Sequence, residues 1–380
     1  ALGRYNEGFV PFELSACFMS AAVIPVIDRE HARAAVLSLP VPVTGAVREE
    51  GGRIIDTRGR PLRDLRISVT DACNFRCRYC MPKEKFPSRH QFLAHTELLT
   101  FEEIERLVRI FVKLGIEKVR LTGGEPLLRK NVDVLVHKLK GIRTRQGQPL
   151  DVAMTTNATL LARMAGKLKA AGLNRVTVSL DALSEPLFQS INDVGFPAAK
   201  VLEGIDAARA AGLSVKVNTV VKRGMNEGEV LPLCEHFRNT GIVLRFIEYM
   251  DAGTANGWRM DEVVPSSELV QRISAKWPLK PVDACYRGEV ASRWAYADGA
   301  GEVGFISSVT QAFCRDCTRA RLSVEGGLFL CLFADRGYDI RTMLRGGATD
   351  EEILEAVARI WTNRDNHYSE IRTEATAGLR

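Results

Sequence analysis

The chain has 380 residues, 46% of them hydrophobic and 26% charged, with a net charge of +6. That is enough for one large α/β domain and a smaller one. No apolar run approaches the ~20 residues of a membrane-spanning helix, and no block of consecutive basic residues marks a nucleic-acid surface. Glu7, Glu13, Asp28 and Glu30 in the first 56 residues are unlike a secretory or transit leader. Nine cysteines without an export signal point to a reducing compartment, the cytoplasm.

Residues 1–56 show no clear period and read as an N-terminal extension. A core follows over residues 57–280. Strand-like runs at Arg66–Thr70, Lys118–Thr122, Asp151–Thr156, Arg175–Leu180, Ser214–Val220 and Val243–Glu248 alternate with amphipathic stretches. The stretch opened by Thr100 and Glu103 carries a capping box and runs to Gly115. Asn131–Lys140, Leu160–Ala171, Ala198–Ala211 and Glu229–Asn239 read as the other helices. Six such units make a parallel sheet that closes or nearly closes as a barrel. Lys118, Arg120 and Thr122 share one strand face, as do Ser214, Lys216 and Asn218. The apolar faces pack under helices, so these polar faces turn inward around a hollow. Beyond about residue 255 the pattern changes. Residues 281–380 read as a second module over the barrel opening, with Val303–Ser308 and Leu328–Phe333 extended and Asp350–Thr362 helical. Ser266–Lys276 is a further helix.

Two cysteine triplets carry the chemistry. Cys73, Cys77 and Cys80 form C-x3-C-x2-C directly after the first strand. Three thiolates can hold three irons of a cubane and leave the fourth open to a small molecule. A zinc site on Cys77 and Cys80 is the other reading, and it leaves Cys73 idle. Cys314, Cys317 and Cys331 form C-x2-C-x13-C. Alone they would favour a structural zinc knot; beside the first triplet, a second cluster fits better. Arg319 and Arg321 share one face of an extended segment and can grip an anion, although a bare Arg-x-Arg is more often solvated. Gly123-Gly124-Glu125-Pro126 ends a strand, where two glycines allow close backbone approach and Glu125 can accept from an amino group. Cys17, Cys234 and Cys285 stand alone and read as packing residues.

The first triplet with the Gly-Gly-Glu-Pro turn resembles the radical S-adenosylmethionine (SAM) superfamily. The resemblance implies a partial (β/α)6 TIM-like barrel open on one side, with an iron–sulfur module over the opening. It implies a [4Fe-4S] cluster whose open iron chelates SAM, and SAM contacts at Tyr79, Gly124, Glu125, Ser179 and Met250.

Over about residues 60–370 the chain resembles the GTP 3′,8-cyclase family of molybdenum cofactor biosynthesis. The matching stretches are Asp64–Asp71, Arg120–Leu127, Thr155–Asn157, Val178–Asp181, Arg245–Glu248, Phe313–Leu322 and Cys331–Phe333. The resemblance implies conversion of GTP to (8S)-3′,8-cyclo-7,8-dihydroguanosine 5′-triphosphate. It implies two [4Fe-4S] clusters, the second holding the guanine base. Arg66, Arg120, Thr155, Lys216, Arg319, Ala320 and Arg321 would contact GTP, with Lys118 and Arg245 toward its triphosphate. Arg66, Arg319 and Arg321 would act in catalysis. A reductant or electron-donor protein and a cyclic pyranopterin monophosphate synthase that receives the product are the implied partners. A homodimer is compatible with the sequence and not required by it. The alternative function is a radical SAM peptide maturase with an auxiliary cluster, which would need more C-terminal cysteines. Two departures stand out: Ala158 where the family has Gly, and a chain that stops at Arg380 without a final Gly-Gly. The second leads us to expect a protein that binds its clusters, SAM and GTP but turns over poorly.

Overall fold

The computed structural model describes residues 39–251 and 258–377, without the side chains of 373–377. Cys17 and the chain end on which the turnover expectation rests lie outside the described residues.

The six expected strands form, at Asp64–Ser68, Lys118–Thr122, Asp151–Thr156, Arg175–Ser179, Ser214–Val221 and Val243–Glu248, and pair in that order, all parallel. They are called first to sixth below. Two further parallel strands flank them. Arg319–Leu322 pairs with the first, and Glu302–Ile306 with the sixth. Short antiparallel strands extend both ends, giving a 12-stranded sheet with two free edges. The sheet curls. Arg120 Nη1 of the second strand and Arg245 Nη2 of the sixth both donate to Thr177 Oγ1 of the fourth, at 3.1 and 3.3 Å. A flat sheet would keep the second and sixth strands four spacings apart, near 19 Å.

Alternation explains the layers. Leu65, Ile67, Val119 and Leu121 are fully buried in one apolar cluster with Leu107, Val108 and Phe111 of helix Phe101–Lys113. Each such side chain contributes about 1.5–3 kcal/mol by leaving water. The opposite positions, Arg66, Lys118, Arg120, Lys216 and Arg245, are only half-buried, because their open surface lines a cavity. Thr100 and Glu103 make the expected capping box. Three helices, Glu185–Asn192, Ile340–Arg345 and Tyr368–Ala377, were not anticipated. Cys234 packs in the core as expected, but Cys285 is exposed, its sulfur 2.8 Å from Arg293 Nη1. A lone cysteine on a connecting loop carries no periodic signal that separates packing from exposure.

The C-terminal helix Tyr368–Ala377 lies across the open side. The Tyr368 ring stacks on Phe333 at 4.7 Å, beyond one edge of the barrel. Its hydroxyl donates to Asp251 Oδ2 at 2.8 Å, beyond the sixth strand. Arg372 pairs with the same carboxylate.

Ala158 adopts φ 64°, the left-handed region that favours glycine, and it is buried. An L-residue there is strained by about 1–2 kcal/mol. Ala158→Gly is therefore expected to stabilise the protein by about 1 kcal/mol, after the entropy that glycine adds to the unfolded chain. Anaerobic urea unfolding checks this, through a higher midpoint at unchanged slope.

Candidate active site between two cysteine sets

The first triplet occupies the loop after the first strand. Asn192 O and Ile191 O of helix Glu185–Asn192 accept from Arg76 N at 2.9 Å and Arg78 N at 3.3 Å. Phe75 packs on Phe188 and Phe196, with ring centroids 6.2 and 5.6 Å apart. On the other side lies the Gly-Gly-Glu-Pro turn. Gly124 N donates to Thr70 O and Glu125 N to Ala72 O, both at 2.8 Å. A Cβ on Gly123 would meet Thr70 O at 2.3 Å, and one on Gly124 would meet Ala72 O at 2.2 Å. The glycines are thus required by the approach of the cysteine loop's own backbone, where the sequence suggested approach to a ligand.

Glu125 is 1% exposed. It accepts from Thr156 Oγ1 at 2.7 Å, Asn157 N at 2.7 Å and Leu127 N at 3.0 Å. Burial pushes its carboxyl up to about 7, against the pull of those donors. Oε1 takes two of these bonds and Oε2 one, so Oε2 keeps a lone pair for a further donor. Tyr79 OH donates to Asp181 Oδ2 at 2.6 Å, which fixes the ring between Cys77 and Cys80. Asp181 itself was missed: it reads as a turn residue, and only the fold brings Tyr79 to it. Ser179 ends the fourth strand and is half-buried, and Met250 follows the sixth strand.

The second triplet lies at the other end of the cavity. Cys314 and Cys317 precede Arg319–Leu322, which runs parallel to the first strand, so they sit at the sheet's N-terminal end. Cys331 follows the antiparallel strand Gly327–Phe329, which returns the chain to that end. The first triplet follows its strand and sits at the C-terminal end. Cys314 and Cys317 are buried.

Between the two sets runs a row of cations. Register pairs Arg321 with Arg66, and Arg66 with Arg120, across three adjacent strands. Arg319 and Arg321 are 7% and 3% exposed, so the solvated reading of this pair is overturned. Burial first, then Arg319, Arg321 and Arg120, hold the Arg66 guanidinium well below its usual range. Burial lowers Lys118 to about 8, with Asp64 acting the other way, and burial then Arg120 lower Arg245 to about 10. Lys216 shifts down through burial and Arg245. Arg120 Nη1 also donates to Thr155 Oγ1 at 3.0 Å. Arg319 Nε, Arg321 Nη1 and Arg245 Nε are buried without partners. Buried guanidinium donors without partners call for an anion. Ala320, also assigned to this group, is fully buried.

The donor set fits iron–sulfur clusters. Cys80 and Cys73 lie near enough to Cys77 to add to the rise that burial gives its thiol, and Cys317 and Cys314 lie as near to Cys331. Burial pushes the Cys73 thiol up to about 11. Burial would also raise Cys317, but Arg319, Arg364 and Arg321 outweigh it and bring that thiol down to about 5. A coordinating metal deprotonates either kind. Among the described residues, no three His, Cys, Asp or Glu side chains converge as on a single ion. A cubane takes one thiolate per iron corner, so its ligands need not converge.

The chain is similar to known proteins over most of its length. The Radical SAM superfamily model matches residues 67–237, and the Molybdenum Cofactor Synthesis C model matches residues 242–370. A GTP 3′,8-cyclase from Acidothermus cellulolyticus is 52% identical over 332 residues, 86% of this chain and 91% of that one. One from Staphylococcus aureus is 46% identical over 329 residues, 86% of this chain and 96% of that one. The crystal structure of Streptococcus suis SuiB bound to S-adenosylmethionine matches with a TM-score of 0.54 at 15% identity, covering 83% of this chain and 68% of that one. That likeness concerns the fold alone. No helix among the described residues is long and apolar enough to cross a membrane.

Gly124→Ala is expected to break the contact between the Gly-Gly turn and the cysteine loop. The loop must move to admit the Cβ, so the first cluster assembles poorly. Iron analysis after anaerobic reconstitution should fall by about one cluster per chain, with 5′-deoxyadenosine formation down by at least about tenfold, or ~1.4 kcal/mol.

Proposed function

The chain belongs to the GTP 3′,8-cyclase family of radical SAM enzymes, and from that premise we propose that the cavity between its two cysteine sets is where GTP is bound and cyclised. The product is (8S)-3′,8-cyclo-7,8-dihydroguanosine 5′-triphosphate, at the first step of molybdenum cofactor biosynthesis. The observation that carries this reading is the row Arg321–Arg66–Arg120, with Arg321 Nη1 and, beside the row, Arg319 Nε and Arg245 Nε buried without partners. A nucleoside triphosphate brings up to four negative charges to a cavity rich in fixed cations.

In this reading Cys73, Cys77 and Cys80 hold the first cluster, and Cys314, Cys317 and Cys331 hold a second. Bound SAM and the first cluster supply a 5′-deoxyadenosyl radical. Tyr79, Gly124, Glu125, Ser179 and Met250 line the SAM side. Lys118, Arg120, Lys216 and Arg245 face the triphosphate. Thr155 continues their polar surface, and Arg66, Arg319 and Arg321 lie toward the base and ribose, while Ala320 between the last two turns its side chain into the core and leaves only backbone on that side. The reaction removes hydrogen from C3′ and joins C3′ to C8 within one nucleotide. The protein's task is therefore to fix base, ribose and phosphates in one conformation and to exclude water. The peptide-maturase alternative has the fold alone behind it, and one fold hosts many functions.

Anaerobic incubation with SAM, a reductant and each nucleoside triphosphate in turn tests the reading. GTP should give cyclised product together with 5′-deoxyadenosine, and the other three should not. Cyclisation of none of them would overturn it. Arg319→Ala and Arg321→Ala should keep both clusters yet lose most product. Each removes charge-assisted contacts worth about 1.5–3 kcal/mol, roughly one to two decades in affinity. Unchanged turnover in both would remove these arginines from the site.

A further inference from the structure

Behind the second cysteine set, on the side away from the cation row's partner strands, sits a closed ionic network. Asp56, Arg60 and Arg364 are 1%, 0% and 2% exposed. Asp56 Oδ2 accepts from Arg60 Nε at 2.6 Å and from Arg364 Nη1 at 3.1 Å. Asp56 Oδ1 accepts from Arg58 N at 3.0 Å and Arg60 N at 2.9 Å, which turns the chain tightly about the carboxylate. The two guanidiniums then reach outward. Arg60 Nη1 donates to Cys314 O at 2.9 Å and to Asn366 O at 2.8 Å. Arg364 Nη1 donates to Cys317 O at 2.8 Å, and its Nε to Leu330 O at 3.1 Å, the residue before Cys331. Every cysteine of the second set therefore has its own carbonyl, or its neighbour's, tied to one of two arginines that share one carboxylate. Trp361 packs the network from behind, its Nε1 donating to Arg60 O at 3.1 Å and its ring 4.5 Å from the Arg364 guanidinium.

We propose that Asp56, Arg60 and Arg364 form the frame that positions the second cysteine set, and that their net single positive charge tunes the reduction potential of the cluster held there. The proposal rests on the reading of Cys314, Cys317 and Cys331 as cluster ligands. Two physical points support it. A buried ion network is seldom kept for stability alone, since apolar residues of similar volume often stabilise as well. Groups outside the ligand shell orient the ligands and set the potential of a metal site. Arg60 Nη2 is also buried without a partner, which leaves a strong donor over on this side of the cysteines. None of the three residues touches the cavity cations' acceptors, so they act through the cysteines as positioning residues.

The test uses the whole chain, reconstituted anaerobically, in a background where Cys73, Cys77 and Cys80 are replaced by Ala so that only the second cluster contributes a signal. Arg364→Lys keeps the charge but cannot reach three acceptors, and it should lose at least half of the second cluster's iron or change its electron paramagnetic resonance spectrum. Asp56→Asn removes a negative charge and should raise the potential. Arg364→Gln removes a positive charge and should lower it. The same variants with the first triplet intact should still cleave SAM to 5′-deoxyadenosine. Variants that keep full iron, an unchanged spectrum and an unchanged potential overturn the proposal. So does loss of SAM cleavage in all of them, because the network would then serve the fold as a whole. If the unaltered background protein takes up no iron, the cluster reading of Cys314, Cys317 and Cys331 fails instead, and that outcome is distinct.

Discussion

Arg321, Arg66 and Arg120 stand side by side on three neighbouring strands, about 4.8 Å apart from strand to strand. Like charges so close repel, and the repulsion grows where protein replaces water. Asp64 is a nearby acid, but it is shared between Thr318 Oγ1 at 2.9 Å and Lys118 Nζ at 3.8 Å. The row persists because the other face of the same strands is tied down. Leu65, Ile67, Val119, Leu121, Ala320 and Leu322 are buried in one core, and sheet register then leaves the arginines no choice of direction. Packing free energy on one face thus holds electrostatic tension on the other, and an anionic ligand relieves it.

Strand direction sets the position of the cysteine sets. The first caps the C-terminal end of the sheet and the second the N-terminal end, with the cations between them. On the proposed reading, a nucleotide on the row lies between the two sets. Arg319 and Arg321 join the two tasks, since their strand begins two residues after Cys317. Moving that strand would shift Cys317 and both arginines together.

Much of this was legible in the sequence. Period-two alternation with cations on the inner positions betrayed a polar-lined barrel, because an ordinary strand would not repeat Lys-x-Arg-x-Thr beneath helices. The cysteine spacings and the strand-end motifs identified the chemistry. Other features escaped for physical reasons. Arg319–Leu322 is short and isolated in sequence, so its parallel pairing with the first strand is a property of the fold. Helix Glu185–Asn192 is brief and carries a proline in its first turn, which weakens its pattern. Asp56 and Arg364 lie 308 positions apart, and each alone looks like surface charge. Residues 1–56 read as an extension without chemistry, yet the last of them, Asp56, supplies the carboxylate that ties Arg60 to Arg364.

The central claim is that the cation row is held under repulsion until a nucleotide neutralises it. Arg66→Met tests this most directly, since it removes one charge at similar volume. Unfolding midpoints are measured anaerobically on the cluster-loaded protein, with and without GTP. The account predicts that the variant is more stable than the parent without nucleotide and gains much less from GTP, because ligand stabilisation follows affinity. A variant that is less stable without nucleotide, yet gains as much from GTP as the parent, would contradict it.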